Sequence, residues 1–309
     1  MSLAHLPLPL LVIPMGIGGV GLAWREAAHS LGAPVVVGEA LLLLTAIAWI
    51  VLAALHGLRA IRHPDAVLAE LRHPVRVAFA AAPTIGLMIL SAALWPYAPA
   101  AGVALWGLAV SVHLLVAMLL LRRVIGGRGE AAMLAPPLLI PFVGNILAPA
   151  FGAPMGLMDA SWMMFGVGLV LWLLVMPLLL HRLIAGPALP PPLKPALAIF
   201  LAPPAVGALA LVALTGSTTG PALMLAGVAL LMGAVLLSLA HDLVTVPFGP
   251  TWWGLTFPSA AFAIMVMVFG FPPLLSWSAL LLTTGITGYV AWRTVLAARA
   301  GVFIRTETH

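Results

Sequence analysis

Residues 252–271 read WWGLTFPSAAFAIMVMVFGF, an almost wholly apolar run that contains a proline, Pro258, near its start. A helix needs about 20 apolar residues to cross a bilayer, so this run is long enough to span one. The proline lacks a backbone N–H and bends a helix at that point. Four other apolar runs share this design, at successive spacings of 69, 58, 62 and 55 residues. The prolines of these runs are Pro14, Pro83, Pro141 and the pair Pro203 and Pro204.

The composition extends this pattern to the whole chain. Of 309 residues, 63% are hydrophobic and 7% are charged, and the mean hydropathy is +1.20. A soluble domain carries about 25% charged residues, so the composition is that of a membrane protein. We predict an all-α integral membrane protein with ten transmembrane helices in a single transmembrane channel domain, residues 1–309. The predicted spans are 6–24, 35–58, 76–95, 98–121, 136–153, 160–181, 195–214, 220–240, 252–271 and 275–297.

The alternation of the prolines predicts how the helices are arranged. Every odd-numbered span contains a proline, whereas the even-numbered spans mostly lack one. Backbone freed by a proline is tolerated in a membrane where it faces protein or a water-filled cavity, but not where it faces lipid. We therefore expect five helical hairpins around a central pore, with the odd-numbered helices inside and the even-numbered ones outside.

The basic residues predict the orientation. Twelve of the 13 Lys and Arg residues fall in the loops after spans 2, 4 and 6 or near the end of span 10, and Arg25 alone falls on the other side. Cytoplasmic loops carry the excess of Lys and Arg. We expect a multi-pass protein of the cell inner membrane with both termini cytoplasmic. The basic net charge of +5 thus reflects topology, and we expect no nucleic acid among the partners.

Ionisable groups are scarce where catalysis, metal binding or ion coupling would need them. Glu39 lies near the outer end of span 2 and Asp242 at the cytoplasmic end of span 8, and no carboxylate pair lies at mid-membrane. His56 and His113 have no histidine or acidic neighbour at helical spacing, and cysteine is absent. Metal sites need three or four converging ligands. The pattern predicts no enzyme, no metal and no cofactor, and it favours passive conduction over coupled transport.

A neutral pore can still favour anions through helix dipoles and polar donors. Three side chains on odd-numbered spans are candidate donors: Thr84, Asn145 and Thr256. Asn145 has two interpretations, an interhelical hydrogen bond or contact with the ion. Arg76 either anchors span 3 on the cytoplasmic side or attracts anions there. The complete set of predicted pore-lining residues is Pro14, Gly16, Pro83, Thr84, Pro141, Asn145, Pro203, Pro204, Thr256 and Pro258.

Four short motifs lie along the chain. The ninth span carries Trp252-Trp253-x-x-Thr256-Phe257-Pro258. The others are Gly16-Ile17-Gly18-Gly19-Val20-Gly21-Leu22-Ala23-Trp24 in the first span, His73-Pro74-Val75-Arg76 before the third and Val143-Gly144-Asn145 in the fifth. By their order and spacing, these motifs resemble the tellurite-resistance/dicarboxylate transporter family, which includes the plant slow-type anion channels and the bacterial tellurite-resistance channel.

The resemblance implies five hairpins around a pore in each subunit of a homotrimer. It also implies that small anions such as chloride and nitrate pass through the pore, and that a phenylalanine of the ninth helix closes it, which by motif is Phe257. Other members of the family export malate, sulfite or related anions. The alternative function is therefore a secondary transporter of dicarboxylate, sulfite or tellurite-type oxyanions.

Overall fold

The computed structural model describes residues 3–304, so the two chain termini and Arg305 lie outside the described residues. All regular structure within this range is helical. Nine helices there are long and apolar enough to cross a membrane, which makes the chain a multi-pass membrane protein. In chain order they are α1 Leu8–Leu31, α2 Val35–Arg62, α3 Arg76–Leu94, α4 Pro99–Arg128, α6 Met158–Ala185, α7 Pro191–Thr215, α8 Pro221–Ser238, α9 Pro250–Val268 and α10 Pro273–Arg299.

The fifth predicted span, here α5, is a shorter and broken segment, Pro136–Gly152. It consists of short pieces of alternating helix type, and its two α-helical pieces are Leu139–Val143 and Ala148–Gly152. Four prolines fall within these 17 residues, each of which removes a helix donor. That this segment crosses the membrane, which would bring the number of crossings to ten, therefore stays a prediction.

Four of the proline-containing helices have the same construction, a 3₁₀ helix followed by an α-helix. The 3₁₀ parts are Leu8–Val12, Arg76–Ala81, Pro191–Leu201 and Pro250–Leu255. The α-helical parts that follow are Ile13–Leu31, Ala82–Leu94, Ala202–Thr215 and Thr256–Val268. In each helix the proline of the sequence pattern lies among the first three α-helical residues, so the helix type changes where the proline stands.

Hydrogen bonding explains why the change occurs there. In an unbroken α-helix, the N–H of each residue bonds the carbonyl four residues earlier, and proline has no N–H to give. In α1, α3 and α7 that carbonyl instead accepts the N–H of the residue before the proline, in a 3₁₀ bond. The accepting carbonyls belong to Leu10, Phe79 and Ile199. The 3₁₀ segment thus satisfies the backbone that the proline would otherwise leave unpaired in the membrane.

Burial separates the helices into two groups. In α1, α3, α7 and α9, between 61% and 78% of the most apolar window is buried, whereas in the even-numbered helices the share is 17–33%. Helices α1, α3, α5, α7 and α9 each pack against the next in chain order, and α9 packs against α1, so the five form a closed ring. Each of them also packs against the helix that follows it in the chain. We call these five the inner helices and the other five the outer helices.

A buried ion pair fixes the beginning of α1. Glu70 lies on a short helix, Pro64–Arg72, that the sequence did not predict. Its Oε2 lies 2.6 Å from Nη1 of Arg59, and its Oε1 accepts the N–H of Leu8 at 2.9 Å. Arg59 also donates two hydrogen bonds to the carbonyl of Ala4. Both charged side chains are at most 5% exposed, so this network ties α1 and α2 to the short helix at the end that carries the basic loops, hereafter the basic end.

A second ion pair lies at the opposite end. Arg25 of α1 makes two hydrogen bonds with the carboxylate of Glu39 in α2, at 2.9 and 2.8 Å. It also donates to the carbonyls of Ala92 and Ala93 in α3. Here the side chains are 24% and 30% exposed. Arg25, the one basic residue predicted on this side, therefore joins three helices.

Candidate conduction pathway

A cavity of about 50 Å³ lies at the centre of the ring of inner helices. All five inner helices line it, and no outer helix does. Its wall includes Val12 and Met15 from α1, Phe79 and Ile85 from α3, Leu139, Ile140, Val143, Gly144 and Leu147 from α5, Ala196, Ile199, Ala202, Pro203 and Val206 from α7, and Thr251, Gly254, Phe257 and Pro258 from α9. The space holds no more than a few water molecules, so the ring is nearly closed at this level.

The wall of the cavity is almost entirely hydrocarbon. None of the residues that line it carries a charge, and Thr251 supplies its one side-chain hydroxyl. That hydroxyl donates to the carbonyl of Pro192. A narrow apolar passage resists wetting and so blocks ions without a charged barrier.

Phe257 contributes its ring to this wall and is 8% exposed. It is the second residue of the α-helical part of α9 and directly precedes Pro258. The ring rests against α1 at Gly19, where an added methyl group would lie 3.0 Å from Cδ2 of Phe257. Phe257 therefore lies just after the change of helix type in α9, and its ring packs against Gly19 of α1.

Phe79 supplies a second aromatic ring to the same cavity, and the sequence analysis did not predict it. It lies in the 3₁₀ part of α3, four residues before Pro83, and its carbonyl accepts the N–H of Ala82. The signal available in the sequence was its place as the one aromatic residue in the stretch before Pro83.

Three of the predicted site residues line the cavity: Phe257, Pro203 and Pro258. Others lie between helices. Thr256 of α9 packs against Gly16 of α1, where an added methyl group would lie 2.2 Å from the Thr256 hydroxyl oxygen. Pro14 lies near Gly86 of α3, and the carbonyl of Pro83 accepts a hydrogen bond from Trp49 of α2 at 2.9 Å. Pro141 and Pro204 are buried in α5 and α7.

The three predicted donors all make hydrogen bonds inside the bundle, and none of them lines the cavity. Thr256 donates to the carbonyl of Trp253 at 2.7 Å, and Asn145 donates to the carbonyls of Pro141 and Phe142 at 3.3 and 3.0 Å. Asn145 is 1% exposed, and these bonds lie within α5 rather than between helices. Each of these bonds runs from a side chain to a carbonyl three or four residues earlier in the same helix, so it ties the donor to its own segment.

Thr84 joins α3 to α4 through a buried histidine. Its hydroxyl lies 2.6 Å from the carbonyl of Ala81 and 2.7 Å from Nδ1 of His113. His113 is fully buried, and its ring faces Gly144 of α5, where an added methyl group would lie 2.6 Å from Nε2. His113 thus has a polar partner that helical spacing alone did not reveal, and it packs directly behind the cavity wall.

Arg76 lies at the basic end of α3, three residues before Phe79, and is exposed. Its backbone N–H and that of Val75 donate to Nδ1 of His73 at 3.2 Å. Burial, together with the neighbouring Arg76 charge, lowers the pKa of His73 below its ordinary value of 6.5. His73 is therefore favoured in the neutral form that can accept these two bonds.

Within residues 3–304 there is no group of three or more His, Cys, Asp or Glu side chains that could hold a metal ion. A bundle of membrane-length helices around a neutral, apolar cavity fits the class of membrane permeation proteins.

Comparison with known sequences agrees with this class. The chain belongs to the SLAC1 family, described as voltage-dependent anion channels, which matches residues 5–298. This family comprises anion channels and transporters rather than enzymes.

Individual relatives come from plants and bacteria. The chain is 25% identical to the S-type anion channel SLAH3 of Arabidopsis thaliana over 85% of its own length and 42% of the relative's. It is 26% identical to SLAH2 of the same plant, over 81% and 50% of the two lengths. It is also 26% identical to the tellurite resistance protein TehA homolog of Haemophilus influenzae, over 64% and 61%. The chain thus spans about half the length of these curated relatives.

Proposed function

We propose that this protein is a passive channel for small monovalent anions such as chloride and nitrate. One observation carries the proposal: a cavity lined by all five inner helices and by no charged side chain. A coupled transporter needs a site that binds the driving ion, which in membranes is commonly a buried carboxylate. The cavity wall offers none, and this favours passive flow over coupled exchange.

The preference for anions rests on charge at the basic end. Arg76 stands at the start of α3, and its guanidinium makes no ion pair within the described part of the chain. An exposed cation at the mouth of a neutral passage raises the local concentration of anions. The relatives named as anion channels support the same preference.

The gate in this proposal is Phe257. Its ring closes the cavity as a hydrophobic plug, and motion of that ring wets the passage and permits flow. Because the wall has few polar groups of its own, wetting depends on the space that its large side chains fill, and Phe257 is one of the two aromatic residues there. Pro203 and Pro258 line the passage beside it.

We further propose that the chain forms homotrimers in the cell inner membrane, with one passage in each subunit and both termini in the cytoplasm. The distribution of Lys and Arg supports this orientation. The basic end is then the cytoplasmic end.

The experiment is recording in planar bilayers with the purified full chain under a chloride gradient. A passive channel gives a current that reverses at the chloride equilibrium potential, with no dependence on an added proton gradient. Flux that requires a proton gradient and carries dicarboxylate or sulfite would support the transporter alternative instead.

A further inference from the structure

A second apolar cavity lies away from the ring, on the outer surface between α4 and α6. It is an open crevice of about 770 Å³. Its floor is formed by Leu138 and Phe142 of α5, and its sides by Leu121 of α4 and by Leu174 and Leu178 of α6. Ligand sites of drug-sized molecules occupy about 300–1,000 Å³, so the crevice is large enough for part of a lipid.

Two interruptions of regular helix border this crevice. Pro177 lies inside α6, so the carbonyl of Leu173 does not receive the N–H that an α-helix normally supplies. On the other side, α4 ends in a π-helical turn, Val124–Arg128, in which Gly127 has a positive φ of 71°. Glycine adopts this conformation without steric cost, so the helix can end there.

The crevice opens sideways, toward the membrane. Leu173, Leu174 and Leu178 are 62%, 61% and 51% exposed. Such a surface in a bilayer is covered by hydrocarbon, because an empty apolar gap forfeits dispersion contacts and water gains no hydrogen bonds there.

The mouth of the crevice, at the basic end, carries excess positive charge. Glu130 at the mouth pairs with Arg123 at 2.7 Å, and Arg123 also bonds the carbonyl of Arg72. Arg122 and Arg128 flank the lining residues, are exposed and make no ion pair within residues 3–304. With Glu130 paired to Arg123, Arg122 and Arg128 are two exposed arginines that directly neighbour crevice-lining residues in the sequence and make no ion pair within residues 3–304.

We propose that this crevice binds one anionic phospholipid of the adjacent leaflet. One acyl chain lies between α4 and α6 against Leu174, and the phosphate is held by Arg122 and Arg128. Basic pockets between membrane helices recognise anionic head groups in this way, and guanidinium groups match phosphate oxygens bidentately.

The test is native mass spectrometry of delipidated, detergent-solubilised full chain titrated with phosphatidylglycerol or with phosphatidylcholine of the same acyl chains. Wild type should bind one phosphatidylglycerol per chain at least fivefold more tightly than phosphatidylcholine. The double variant Arg122→Gln/Arg128→Gln should lose this preference. Leu174→Trp, which fills the crevice, should lower the occupancy of both lipids.

Two control variants match these changes. Arg62→Gln removes another exposed guanidinium at the basic end. Ile50→Trp adds an indole to α2 at a side chain that is 63% exposed and lies at a similar distance from the end of its helix. Both should bind phosphatidylglycerol as wild type does.

Equal lipid binding by wild type and the crevice variants would overturn the proposal. It would also be overturned if Leu174→Trp dissociated an oligomer while lipid occupancy stayed the same, since the crevice would then be covered by a second copy of the chain.

Discussion

Because the ion pair of Arg59 and Glu70 is buried, the loss of stability on breaking it can be predicted. Glu70→Gln keeps the shape of the side chain and removes its charge. Arg59, 4% exposed, then keeps a full charge opposite a neutral amide. Removing one partner of a buried ion pair costs about 3–5 kcal/mol, because the remaining charge is neither solvated nor compensated. The amide oxygen can still accept the Leu8 N–H, so we expect the lower part of this range.

The assay is the apparent melting temperature of the purified protein in one detergent. With about 2 °C per kcal/mol for a chain of this size, Glu70→Gln should melt about 6–8 °C lower than wild type. The matched control is Glu39→Gln, whose partner Arg25 is 24% exposed and keeps its bonds to two carbonyls of α3. Exposed pairs contribute about 0–1 kcal/mol, so this control should melt within about 2 °C of wild type.

A double-mutant cycle isolates the interaction itself. Arg59→Gln/Glu70→Gln removes both charges and should destabilise less than the sum of the single changes, with a coupling of about 2 kcal/mol or more. The reasoning would be refuted if Glu70→Gln and Glu39→Gln lowered the melting temperature equally, or if the cycle showed no coupling.

Further predictions concern the packing behind the cavity wall, the attraction of anions by Arg76 and the pH dependence of stability. Gly144→Ala should destabilise the fold by about 1–3 kcal/mol and so lower the melting temperature, because its methyl group would lie 2.6 Å from His113. The control Gly166→Ala, which has open space around it, should melt as wild type does. Arg76→Ala should reduce anion current more at 20 mM than at 500 mM salt, since screening removes attraction, whereas Arg299→Ala should have no effect; equal loss at both salts would argue against attraction. Because burial lowers the pKa of His73 below 6.5, the folded state binds fewer protons there, and stability should fall as the pH drops below about 6.5. His73→Asn should make the melting temperature fall less between pH 7.5 and 5, and an unchanged slope would contradict this assignment.

The prolines explain why part of this architecture is readable from the sequence. A proline in an apolar run marks a helix that lipid cannot surround, and burial in the structure follows the same alternation. The pattern did not predict how the backbone near each proline compensates for the missing N–H. We expected a simple bend, whereas the chain forms a 3₁₀ segment that ends two or three residues before the proline. Propensity does not favour 3₁₀ helices of this length, so their formation depends on packing within the ring.

The site was harder to predict because helix faces depend on the local winding. A segment with three residues per turn presents different side chains from an α-helix of the same sequence. Thr256 and Phe257, neighbours in α9, both contact α1, at Gly16 and Gly19, and of the two only Phe257 also lines the cavity. Phe79 lies in the 3₁₀ part of α3, where the winding differs from that of an α-helix. Glu70 lies between the second and third predicted spans, and its pairing with Arg59 depends on a short helix that the predicted spans do not include.

The central claim is that an aromatic ring plugs a neutral passage, and single-channel recording of a size series at position 257 tests it most directly. Chloride conductance should rise in the order wild type, Phe257→Leu, Phe257→Ala, with the reversal potential unchanged. Phe262→Ala, on the same helix but packed against Gly233 of α8, should conduct as wild type does. Wild-type conductance in Phe257→Ala, with the protein folded in the membrane, would contradict the account.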